Sequence, residues 1–123
     1  MIRAFTNILC SDVEKTANFY AELLGMQRAG DFGWFSVLTH NDMPGFELGI
    51  LKKDHENVPS DICKQSGGVI LTFVVLNLEE MIEKAMEMDI CILNGPTNME
   101  YGQRRVLLCD PAGTVVDVSS PIV

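Results

Sequence analysis

One order of segments occurs twice along this chain, and it restricts the possible folds more than any single motif. Residues 5–14 (FTNILCSDVE) align with residues 70–79 (ILTFVVLNLE) so that Ile8 falls on Phe73, Asp12 on Asn77 and Val13 on Leu78. In each copy a β-favouring run leads into a helix-capping residue and then into an apolar helical face. The copies share few identical residues. What repeats is the physical role of each position.

The first copy begins with a strand over 3–9 (RAFTNIL). Ser11-Asp12-Val13-Glu14 follows as a capping box, in which Ser11 is expected to accept the Glu14 N–H. Val13, Ala17, Tyr20, Leu23 and Leu24 recur at helical spacing over 12–24, and Gly25 stands where a left-handed cap ends such a helix. Strands are predicted over 33–39 and 45–53. The latter alternates, with Phe46, Leu48 and Ile50 on one face and Glu47 and Gly49 on the other. Polar residues 54–68 read as a linker.

The second copy has a strand over 69–76, a helix started by Asn77 with Leu78, Met81, Ile82, Ala85 and Met88 on its apolar side, and a short strand over 90–93. Asn94-Gly95-Pro96 reads as a turn. A hairpin closes the chain: strands over 104–109 and 114–119 flank Asp110-Pro111-Ala112-Gly113, a type I turn sequence. Asp117 is the one acid in its strand and needs a donor, a cation or water.

A length of 123 residues fits a single domain, and 47% apolar content supplies a core. The net charge of −8 leaves no basic stripe to release phosphate counterions, so nucleic acid is excluded as a partner. No apolar run approaches a membrane span of about 20 residues, and the N-terminal residues lack a signal-peptide layout. The four cysteines, Cys10, Cys63, Cys91 and Cys109, are widely spaced and read as reduced thiols in a cytoplasmic protein.

Asp12-Val13-Glu14-Lys15, Phe19-Tyr20 and Leu23-Leu24-Gly25-Met26, followed by Tyr101-Gly102-Gln103-Arg104 and Asp110-Pro111-Ala112-Gly113, resemble the opening and closing motifs of the vicinal oxygen chelate superfamily. That group spans glyoxalase I, extradiol dioxygenases and bleomycin-resistance proteins. The resemblance implies an α+β fold of two βαβββ modules, here 1–53 and 69–123, whose curved mixed sheets enclose a central cavity. It also implies a homodimer. In metal-dependent members two histidines and two glutamates hold a divalent ion, and those positions fall on Phe5, Glu47, Ile70 and Asp117. Both acid positions remain acidic, and both imidazole positions are apolar.

Glu47 therefore has two readings, a cavity carboxylate with a raised pKa acting on a ligand, or one neutralised by Arg104 or Arg105. Asp117 shares the ambiguity. Trp34 and Phe35 alternate in a strand, so one of them faces inward. Asn7 and Thr72 share faces with the lost imidazole positions, and Tyr101, Gln103 and Arg104 flank the last hairpin. His40 and His55, the only histidines, lie in a predicted turn and linker. The expectation is a small-molecule-binding protein without metal or other cofactor, of the bleomycin-resistance type, sequestering a cationic or aromatic ligand. The alternative is a metal-dependent lyase, isomerase or dioxygenase using Glu47 and Asp117.

Overall fold

A computed structural model describes residues 1–62 and 67–122. The elements run β1 (Thr6–Cys10), α1 (Val13–Leu24), β2 (Gln27–Asp31), β3 (Phe35–Thr39), β4 (Leu48–Lys52), β5 (Ile70–Val74), α2 (Leu78–Glu87), β6 (Cys91–Asn98), β7 (Gln103–Cys109) and β8 (Val115–Pro121). They form two compact units, Met1–Ser66 and Gly67–Val123. Each unit holds one four-stranded sheet, ordered β1-β4-β3-β2 in the first and β5-β8-β7-β6 in the second. In both, the first strand pairs in parallel with the last and the remaining pairs are antiparallel. The βαβββ repeat expected from the sequence is present twice.

In the first unit α1 packs on β3 and β4. Alternation divides each strand, so Ile8, Cys10, Leu38, Leu48 and Ile50 are buried towards the helix with Ala17, Tyr20 and Leu23. Burying each large apolar side chain contributes about 1.5–3 kcal/mol. The helix starts one residue later than the capping-box reading requires. Asp12, not Ser11, accepts the N–H of Lys15, which places Ser11 outside the cap. Gly25 closes the helix at φ 71, as expected of a left-handed cap.

The strand β2 carries almost no apolar signal, which is why its residues (QRAGD) do not announce it. Its outer position is fixed by Arg28, whose Nη1 reaches Glu14 at 2.7 Å and whose Nη2 donates to Asn18 at 2.9 Å, both on α1. A register shift between Arg28 and Gly30 lets the short strand follow β3.

In the second unit α2 packs on β7 and β8, and Asn77 accepts the Glu80 N–H at its start. The expected equivalence of Asp12 with Asn77 therefore holds at both caps. Asn94-Gly95-Pro96 is not a turn. It lies inside β6, which shifts register against β7 on either side of Asn94, so the predicted strand over 90–93 continues to Asn98. The closing turn is as expected: Gly113 N–H donates to Asp110 C=O, and Asp110 Oδ1 accepts from Ala112 and Thr114 N–H at 2.9 and 2.8 Å. Of the predicted linker, residues 54–62 form successive turns. Residues 63–66, including Cys63, lie outside the described residues.

Candidate functional site

Each sheet buries one face under its helix and turns the other away from it. The sequence places the candidate residues largely on these second faces, one per unit. On the first, β1 contributes Phe5 and Asn7, β3 contributes Phe35, and the entry to β4 contributes Glu47. Thr6 pairs with Leu48, so Phe5 and Glu47 stand side by side just ahead of the paired strands.

Glu47 is neutralised, but by neither Arg104 nor Arg105. Arg3 Nε donates to Oε2 at 2.6 Å and Arg3 Nη2 to Oε1 at 2.5 Å, a two-pronged contact. The hydrogen bonds from Arg3 hold the Glu47 carboxyl below its ordinary value of 4.5, against a smaller desolvation effect that raises it. The raised pKa wanted of a general base is absent. The same guanidinium sits 4.6 Å from the centre of the Phe5 ring, so Arg3 bridges the acid and the aromatic. The sequence reading puts Arg3 at the start of the strand predicted over 3–9 and gives it no partner, whereas β1 begins only at Thr6. The available signal was its position two residues before Phe5.

Beside this group Asn7 pairs with Gly49, and a Cβ at Gly49 would collide with Asn7 Oδ1. Asn7 thus occupies the space a side chain at 49 would take, and its side chain makes no hydrogen bond among the described residues. Phe35 lies across from Leu51 and stacks with Phe32 at 5.7 Å, both turned from the helix. Trp34 instead stacks on His55 at 4.0 Å, and Asn57 N–H donates to His55 Nδ1. His40 is also engaged: Asp42 N–H donates to Nδ1, and Nε2 lies 3.0 Å from Leu24 C=O, which requires Nε2 to carry the proton.

On the second unit the face turned from α2 carries Ile70 and Thr72 on β5, Asp117 and Ser119 on β8, and Gln103, Arg105 and Leu107 on β7. Thr72 pairs with Asp117, and its hydroxyl donates to Asp117 Oδ2 at 2.9 Å. Asp117 is only 8% exposed, and its Oδ1 is buried without a partner among the described residues. Gln103 Oε1 is in the same condition. Leaving such an acceptor unpaired costs about 1–3 kcal/mol. Arg104 faces the other way and meets Glu79 on α2 at 2.7 Å, so Arg105 is the arginine on this face. Its side chain makes no hydrogen bond or ion pair among the described residues, while its backbone pairs with Ser119 in the ladder. Tyr101 is exposed in the turn before β7.

A glyoxalase-like domain is matched over residues 5–123. The chain belongs to the glyoxalase-like domain family. Its place in the vicinal oxygen chelate superfamily agrees with solved structures of similar architecture. A glyoxalase/bleomycin resistance protein/dioxygenase family enzyme from Burkholderia phytofirmans superposes with a TM-score of 0.83 at 17% identity, over 96% of this chain and 97% of that one. A protein from Agrobacterium tumefaciens gives 0.78 at 23% identity, over 100% and 99%. A glyoxalase-related enzyme from Fulvimarina pelagi gives 0.76 at 19%, over 98% and 88%. At these identities the likeness establishes the fold.

Of the four positions that correspond to a superfamily metal centre, Phe5, Glu47, Ile70 and Asp117, two carry no donor atom in their side chains. A transition ion requires nitrogen, oxygen or sulfur ligands, and Phe5 and Ile70 have none. Both Glu47 oxygens are occupied by Arg3. In the second unit Asp117 pairs with Thr72 while Ile70 pairs with Val115, so the two positions are a row apart on the sheet. Among the described residues no three His, Cys, Asp or Glu side chains gather in a way that could hold a metal ion. No helix of the described residues is long and apolar enough to cross a membrane.

Proposed function

We propose that this glyoxalase-like protein binds a small organic ligand without a metal, with Asp117 as the group that recognises a cationic or hydrogen-bond-donating part of it. One observation carries the reading: Asp117 Oδ1 is buried and has no partner among the described residues, while Thr72 holds the other oxygen and thereby fixes the carboxylate's direction. A ligand ammonium or N–H placed on Oδ1 removes a desolvation cost already incurred in the folded protein. A hydrogen bond to a charged group contributes about 1.5–3 kcal/mol. Glu47 is not the recognising acid, because its charge is spent on Arg3.

The test is calorimetric titration of chelator-treated protein with tryptamine, tyramine and metal-free bleomycin, the last chosen because the similar Burkholderia protein is a glyoxalase/bleomycin resistance protein/dioxygenase family enzyme. Saturable binding of at least one probe in chelator supports the reading. Binding that appears only after Zn²⁺ or Mn²⁺ is added overturns it in favour of a metal-dependent enzyme.

A further inference from the structure

Cys91 opens β6 and Cys109 closes β7, and the two are direct partners across the antiparallel ladder. Directly opposed residues project to the same side of a sheet, with Cα atoms about 4.5 or 5.5 Å apart depending on the pair type. Disulfides span Cα separations of roughly 4.4–6.8 Å, and both pair types fall inside that range. Both residues are reduced here, Cys91 exposed and Cys109 half-buried. The sequence hides this arrangement because 91 and 109 have no motif spacing. Only the pairing of β6 with β7 brings them together.

We infer that Cys91 and Cys109 form a reversible cross-strand disulfide, a modification site that exchanges with low-molecular-weight disulfides. The Cys91 thiolate attacks one sulfur of a disulfide RSSR. The S–S bond breaks and one RS⁻ leaves, taking up the proton that Cys91 released. Cys109, deprotonated to solvent, then attacks the Cys91 sulfur and expels the second RS⁻. Two protein thiols are oxidised by two electrons, and one RSSR is reduced to two RSH.

The order of attack follows from exposure. Cys91 is accessible, whereas the Cys109 thiol lies 3.4 Å from Asp110 C=O. Burial, then Asp110, then Cys91 itself push the Cys109 pKa above its ordinary value. Cys109 is therefore the resolving thiol. The bond would tie the edge strand β6, which holds two register shifts, to the interior strand β7. It would lie one row along the sheet from the Leu107–Asp117 pair.

The experiment exposes the reduced full chain to oxidised glutathione, blocks remaining thiols with iodoacetamide, and maps the peptides by mass. The expected product is a Cys91–Cys109 link that dithiothreitol reverses. Cys109→Ser should stop at a lasting glutathione adduct on Cys91, and Cys91→Ser should give no internal link. The oxidised wild type should melt at a higher temperature than the reduced form, a shift absent from both variants. A glutathione adduct that persists on Cys91 in the wild type, or a link made instead to Cys63 or between chains, would overturn the proposal.

Discussion

Arg3 grips Glu47 through two nitrogens, each on a different carboxylate oxygen, and this contact removes the acid that the sequence singles out most strongly. The carboxyl titrates below its ordinary value in the folded chain. A depressed folded pKa adds stability above the unfolded pKa, and that stability is lost as pH falls through the folded value. The contribution should therefore be complete at neutral pH and fade below about pH 4.5. Carbon-detected NMR titration should show the Glu47 midpoint rising towards the ordinary range in Arg3→Ala. An unchanged midpoint would mean that the grip does not persist in solution.

Asn7 and Gly49 form a coupled pair. Gly49→Ala pushes a methyl group into Asn7 Oδ1 and must turn that exposed side chain aside, a cost of about 0.5–1.5 kcal/mol if it leaves its rotamer. In an Asn7→Ala background the same change should be close to neutral, because the space is vacated. Urea denaturation of the four proteins in this cycle measures the coupling. Equal costs in both backgrounds would refute the contact.

The ends of the two helices differ. Gly25 takes the left-handed conformation after α1, but after α2 it is Asp89, at φ 55, while Ile90 N–H donates to Ala85 C=O. A side chain in that conformation costs about 1–2 kcal/mol relative to glycine. Asp89→Gly should accordingly raise the melting temperature by several degrees. A lowered one would show that the Asp89 side chain stabilises more than its backbone costs.

Labelling should separate two thiols. Cys91 is exposed, whereas Cys109 is half-buried, and burial followed by nearby Asp110 raises its pKa. Iodoacetamide should modify Cys91 several-fold faster at pH 7.5, with Cys109 gaining as pH rises. Comparable rates at neutral pH would contradict the assigned environments.

The sequence made the architecture readable because its signals are local. The apolar faces of α1 and α2, Gly25, and the Asp110–Gly113 turn each follow from neighbouring residues. One strand, β2, leaves no signal in the sequence and another, β6, reads as cut short at Leu93, for equally local reasons. The residues of β2 are nearly all polar or small, and β6 contains Asn94-Gly95-Pro96, which normally marks a turn but here forms an irregular stretch within a strand. The site was harder to read because its partners come from distant positions. Arg3 and Glu47 are 44 residues apart, and Thr72 and Asp117 are 45 apart. The sequence named Glu47 and Asp117 together and could not reveal that one is neutralised and the other left half-satisfied.

The most direct test compares Asp117→Asn and Thr72→Val with the wild type in chelator, using whichever of tryptamine, tyramine or bleomycin the wild type binds. Losing a charged hydrogen bond of about 1.5–3 kcal/mol predicts affinity roughly 10- to 100-fold weaker in Asp117→Asn. Thr72→Val should lose less, since it frees the carboxylate's direction without removing its charge. Undiminished binding by a folded Asp117→Asn protein would contradict the account.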